Sequence, residues 1–369
     1  MSIYSAIGLV LIWLAGLVCP PWVFATTLRP YLNYHSVDGV NIQVTGLYGF
    51  DYSQRLYHRL NTSLEVYRPG IVDLAKRPKG GRIRFRTDSK QLHVASEILN
   101  SVEPPTGWSL AAAHGIDTYV NKRFYITTVI EKDGVINLPE PPKDSLNSVE
   151  LYLPPYLELK IDQIGLTPNS TLTPPPELGK RVVFYGTSIE WGGGGSRAAL
   201  TYPEMVTRDL DLDFYNFSFP ALAWGEDEVT ETLAKVPCDL FVLSYTRNVR
   251  ADALAYTGMT YQENLVAFVS KIKKYQPGAK VIIVSSLYLL TERYDKERAV
   301  EENAKRQAAV EACEILSQSY DGIYLVDGKK LPSHYANDDA FSEAGHPTAL
   351  GHRQIANELK PLIERILSE

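Results

Sequence analysis

The sequence predicts an α/β domain on a doubly wound parallel sheet, preceded by an all-β sandwich or jelly roll. Three observations predict it. From Arg181 onward, short apolar runs alternate with amphipathic stretches of helical period, the texture of strands joined by crossover helices. Before Leu166, alternating and β-branched runs follow one another between turn residues, with no long helical period among them. Between the two, residues 167–180 carry Pro168, Pro174, Pro175 and Pro176 among small polar residues, the composition of a stiff connector. The expected domains are therefore 26–166 and 181–369. The first is expected to be a separable module, cut by proteases between Thr171 and Gly179.

In the first domain strands are expected at Asn41–Thr45, Leu64–Tyr67, Arg82–Arg86, Gln91–Ala95, Phe124–Ile130, Val149–Leu153 and Leu157–Ile161. Turns such as Pro78-Lys79-Gly80-Gly81 and Lys132-Asp133-Gly134 separate them. Its many aromatics (Tyr48, Phe50, Trp108, Tyr125) read first as strand and core residues and second as platforms for sugar rings. In the second domain the pattern gives strands at Arg181–Tyr185, Asp213–Phe219, Asp239–Ser244, Lys280–Ser285 and Ile323–Val326. Helices are expected at Tyr202–Leu210, Glu226–Lys235, Tyr261–Tyr275, Lys296–Gln318 and Thr348–Leu367.

Chemistry concentrates where the first of these strands ends. Val182–Tyr185 is a buried-strand run, Gly186 stops it, and Ser188 follows at the sheet edge where α/β folds place ligands. Much later comes His346, with Glu343 three residues before it. A serine at a strand end with a histidine and a carboxylate is the minimum for an activated nucleophile. The serine elbow with glycine two residues after the nucleophile is excluded by Glu190. The run Gly192–Gly195 is not a phosphate loop, because no Gly-Lys-Ser/Thr follows it.

Tyr185-Gly186-Thr187-Ser188-Ile189 resembles the first block of the SGNH (GDSL-type) hydrolases. Arg197 and Tyr202-Pro203 match the branch in which a β-domain comes first. That domain's pattern resembles Arg82–Asp88, Gly115–Val120 and Glu150–Tyr156 here. The resemblance implies a flavodoxin-like three-layer hydrolase domain with no metal and no cofactor. It implies Ser188 as nucleophile, His346 as base and Glu343 as the carboxylate, where the family carries aspartate. The oxyanion hole would comprise the Ser188 N–H, the N–H of Ala221 in the block Asn216–Ala221, and the Asn248 side chain in Ser244–Asn248. Ala221 stands where the family has glycine, which matters if that position needs positive φ. The glycine usually found before Asn248 is also missing. Asp338, Asp339 and His334 are weaker candidates to orient His346, and a backbone carbonyl in a Ser-His dyad is the rival to Glu343. Arg197 and Arg247, near the mouth, are candidates to bind substrate, against the commoner structural role of loop arginines.

The expected function is a serine esterase acting on O-acyl esters, such as acetyl esters on carbohydrates, through an acyl-enzyme. The rivals are a lipase, thioesterase or acyltransferase on the same site, and a binding protein whose hydrolase site has decayed. The partner is a small-molecule or glycan ester. A net charge of −6 without a basic tract argues against nucleic acid. With 45% hydrophobic and 22% charged residues the chain is globular in composition. Residues 1–25 read as a secretory signal: Ile3–Cys19 is apolar, and Val23-Phe24-Ala25 suits cleavage. An uncleaved anchor is the alternative, and either one implies export. Cys238 and Cys313 read as buried thiols rather than a disulfide. Asn61, Asn169 and Asn216 fit the glycosylation pattern. Nothing in the sequence speaks to oligomeric state.

Overall fold

The computed structural model describes residues 31–60, 64–103, 108–132, 134–331, 338–342 and 345–369. The expected signal, Asn61, His334 and Glu343 lie outside them. The second domain is organised on a five-stranded parallel sheet. Its strands lie in the spatial order Asp213–Ser218, Arg181–Gly186, Leu240–Ser244, Lys280–Val284, Ile323–Val326. In chain order that is second, first, third, fourth, fifth, the flavodoxin-like arrangement. Alternate side chains of each strand serve the two faces. Val183, Tyr185, Phe241, Leu243, Val281 and Ile283 meet the helices Tyr261–Tyr275 and Lys296–Ser317 on one face. Val182, Phe184, Val242, Ile282 and Val284 meet Tyr202–Asp209 and Ala349–Ser368 on the other. Helices on both faces explain why these strands read as unbroken apolar runs. A further helix, Ala251–Thr257, was not expected from the sequence.

The first domain is antiparallel, with two main sheets and a small hairpin of Gly49–Asp51 and Leu56–His58. One sheet runs Asn33–Ser36, Leu157–Leu166, Gln91–Ser101, Val135–Asn137. The other runs Leu172–Thr173, Arg82–Thr87, Asn147–Tyr152, Gly115–Val120, Arg123–Val129, with Gln43–Thr45 also paired to Arg82–Thr87. Ile83, Phe85, Val149 and Leu151 from one sheet share a core with Leu92, Leu159, Ile161 and Ile164 from the other. Leu64–Tyr67 is not the expected strand. It holds a 3-10 turn, Leu64–Val66, and then comes the helix Pro69–Ala75. Pro69 suits the first turn of a helix and removes the N–H that a strand would need.

Residues 167–180 are not a bare connector, since Leu172–Thr173 pairs with Arg82–Thr87 and the Pro176 carbonyl accepts from Arg84 Nη2 at 3.0 Å. Leu32–Glu369 is one compact unit. Leu60, Tyr67, Ile71 and Leu74 share a core with Tyr185, Trp191 and Phe219. Lys79 Nζ lies 2.9 Å from Glu204 Oε1, both side chains being buried. Arg59, also buried, donates to the carbonyls of Asn216 and Ser218 at 2.8 and 2.9 Å. A shared core with buried charges at its edge argues against a separable module. Cys238 and Cys313 are both free. Asn216 is 1% exposed, so the glycosylation pattern there is inaccessible.

Candidate active site

Ser188 opens a four-residue helix, Ser188–Trp191, directly after the strand Arg181–Gly186. Thr187 caps it: its Oγ1 accepts the Ile189 N–H at 3.2 Å, while Glu190 Oε2 accepts the Thr187 N–H at 2.6 Å. Tyr202 donates to Glu190 Oε1 at 2.8 Å. Glu190 is fully buried, and that burial raises its carboxyl pKa against the donors that hold it. The residue that excludes the common serine elbow thus fixes the turn carrying Ser188.

The Ser188 hydroxyl lies 2.7 Å from His346 Nε2, and both residues are half-buried. The His346 loop is tied at both carbonyls. Ser342 N–H donates to His346 O at 2.8 Å, and Arg247 Nη1 donates to Gly345 O at 2.7 Å. The glycine run supplies the other wall. A Cβ on Gly193 would lie 2.5 Å from His346 Cδ2, so only glycine lets the ring approach. The Gly193 carbonyl faces His352 Nε2 at 3.3 Å. His352 is fully buried, and desolvation pushes its pKa down to about 3, so the ring is neutral. His352 belongs to no motif in the sequence, yet it stands four residues after Thr348, the cap of the last helix, and six after His346.

Ala221 adopts φ +58, the left-handed region. The glycine expected there would hold that conformation freely, whereas alanine bears a cost of about 1–2 kcal/mol. Asn248 lies in the 3-10 turn Thr246–Asn248, just past the strand Leu240–Ser244. Its Nδ2 donates to the Phe219 carbonyl at 3.1 Å, tying it to the Ala221 loop and leaving a second amide hydrogen. Ser188 and Asn248 thus follow the two strands that meet at the topological switch point, where open α/β sheets bind ligands.

Arg247 and Arg197 are both engaged with the protein. Besides the Gly345 contact of Arg247, Arg197 Nη1 lies 3.3 Å from Asp117 Oδ2 and its guanidinium stacks 3.5 Å from the centre of Phe124. Asp117 also accepts the Ala199 N–H at 2.9 Å, so a buried first-domain carboxylate holds the loop behind the glycine run. Asp338 pairs with Arg293 at 2.6 Å and the Asp339 carbonyl accepts from Thr348 Oγ1 at 2.7 Å.

Residues 179–364 match the family described as GDSL-like lipase/acylhydrolase, and residues 32–172 match the N-terminus of SGNH-hydrolase-type esterases. Comparison with curated protein sequences gives no match. Among solved structures, a Bacteroides ovatus protein described as a GDSL-like lipase superposes with a TM-score of 0.78 at 21% identity, covering 92% of this chain and 98% of its own. The salicylyl-acyltransferase SsfX3, from a tetracycline biosynthetic pathway, gives 0.75 at 21%, covering 91% and 97%. An acetyl xylan esterase from Butyrivibrio proteoclasticus gives 0.60 at 14%, covering 91% and 100%. At these identities the likeness is one of fold, and it extends over both domains.

Proposed function

The chain belongs to the GDSL-like lipase/acylhydrolase family and is a carboxylic ester hydrolase; from that premise we propose that Ser188 is its nucleophile and His346 its base. The observation that carries this is the 2.7 Å contact between Ser188 Oγ and His346 Nε2. His346 takes the hydroxyl proton as Oγ attacks the ester carbonyl, and the carbonyl oxygen becomes an oxyanion. The N–H groups of Ser188 and Ala221 and the Asn248 amide are the donors to it. As the tetrahedral intermediate collapses, the ester C–O bond breaks and imidazolium gives its proton to the departing alcohol. Water, deprotonated by His346, then attacks the acyl-enzyme and releases the acid and free Ser188. Glu343 orients the imidazole and balances its charge when protonated.

The substrate we propose is a small O-acyl ester, such as an acetyl group on a carbohydrate. The support is analogy of fold with the acetyl xylan esterase, including the leading β-domain. A decayed site is disfavoured by the retained serine–histidine contact. Export, by way of the apolar segment Ile3–Cys19, is part of the same proposal. The test is fluorophosphonate labelling of wild type and Ser188→Ala in parallel. One label on Ser188, absent from the variant, is expected. A label on another serine overturns the assignment.

A further inference from the structure

The Ala221 turn is braced by residues that have no part in the chemistry. Trp224 Nε1 donates to the Ala221 carbonyl at 2.8 Å. The next carbonyl, Leu222 O, accepts from Arg68 Nη2 at 2.9 Å. Arg68 reaches in from the first domain, immediately before the helix Pro69–Ala75, and its guanidinium lies 3.6 Å from the centre of the Trp224 ring. The same Nη2 also donates to Glu226 Oε1 at 2.5 Å, and Glu226 Oε2 accepts the Trp224 N–H at 3.2 Å. Tyr256 meets the same indole edge-on, with ring centres 5.7 Å apart. The helix approaches so closely that a Cβ on Gly70 would lie 2.5 Å from Leu222 Cδ1.

Alanine on its own prefers negative φ, and a change of φ at residue 221 would rotate the peptide that carries its N–H. A donor aimed at an oxyanion acts only if it is held in place before charge develops. The hydrogen bond to the Ala221 carbonyl and the clamp on the indole supply that hold. We propose that Trp224 is a positioning residue for the oxyanion donor at Ala221, and that Arg68 of the preceding domain locks it. This rests on the reading of Ala221 and Asn248 as oxyanion donors. Trp224 does not touch substrate. It keeps alanine in a conformation that glycine would hold unaided.

The informative variant is Trp224→Phe, which removes the N–H with its five-membered ring and keeps an aromatic face for Arg68 and Tyr256. With p-nitrophenyl acetate as the probe, kcat is expected to fall about 10- to 100-fold with KM unchanged. The same change made in an Ala221→Gly background is expected to cost much less, because glycine needs no brace. Equal losses in both backgrounds, or a fall in melting temperature with normal kcat per folded molecule, overturn the proposal. Asn248→Ala is assayed alongside. If Asn248→Ala is normal, the oxyanion reading itself fails; if it is impaired while Trp224→Phe is normal, only the brace fails.

Discussion

Gly186 has no side chain because Glu190 occupies the space one would need: a Cβ there would lie 2.3 Å from Glu190 Oε2. The glycine before Thr187-Ser188 is thus matched to the acid after it, and neither is free to vary alone. Gly186→Ala is expected to destabilise the fold by about 1–3 kcal/mol, the usual range for overpacking. Because the displaced group is the one that holds Thr187, kcat is expected to fall as well. Denaturant unfolding and steady-state kinetics on the same preparation check both.

His352 makes stability depend on acid. Its folded pKa, about 3, lies below the ordinary value of 6.5 because burial disfavours the charged ring, with Lys79 and His346 adding to the effect. Between those values the unfolded chain binds a proton that the folded one does not. Stability is therefore full above about pH 6.5 and lost as pH falls towards 3, by up to about 1.4 kcal/mol per pH unit from this group. Unfolding free energies measured from pH 4 to 7 should show that slope, and His352→Gln should flatten it while keeping a donor for the Gly193 carbonyl.

The oxyanion role proposed for Asn248 separates experimentally from its hydrogen bond to Phe219. Asn248→Ala is expected to lower kcat by about 10²–10³ with little change in KM, through the lost oxyanion donor. It should also cost about 1 kcal/mol of stability, because the Phe219 carbonyl loses a hydrogen bond. Normal activity per folded molecule would leave it only the hydrogen bond.

Glu343 lies three residues before His346. Glu343→Gln is expected to reduce kcat at least about 10²-fold, whereas Glu343→Asp keeps most activity. Near-normal kcat in Glu343→Gln with a dead His346→Ala would make the enzyme a Ser-His dyad.

Limited proteolysis is expected to give no early cut between Thr171 and Gly179 and no separation of the two domains. The paired strand Leu172–Thr173 and the Arg84–Pro176 hydrogen bond hold that stretch, and the buried Lys79–Glu204 contact joins the two domains. Two folded fragments would contradict the shared core.

The parallel sheet was legible because strands buried on both faces need unbroken apolar runs, and Val182–Tyr185 and Leu240–Leu243 are such runs. Helix Tyr261–Tyr275 was legible to the residue, since an amphipathic period ends at Pro277-Gly278. Leu64–Tyr67 failed for a physical reason: four residues alternate by chance, and Pro69 decides otherwise. Strands of three residues, such as Gly49–Asp51 and Leu56–His58, offer no period to read. At the site, Ser188 and His346 stand out by spacing and are in contact. Arg247 does not reveal its partner in sequence, because Gly345 makes room for it from 98 residues away. The same holds for Arg68 and Trp224, whose meaning depends on a backbone angle at Ala221 that alanine does not announce.

Arg59 is synthesised long before the carbonyls it will bind. Asn216 and Ser218 follow it by 157 and 159 residues, so its guanidinium cannot bond to them until that much more chain has been made. Its contacts with the strand beside Arg181–Gly186 cannot form until both have emerged. His346 comes later still, 128 residues after Ser218. A chain released before His346 lacks the base proposed for Ser188 and is expected to be inactive.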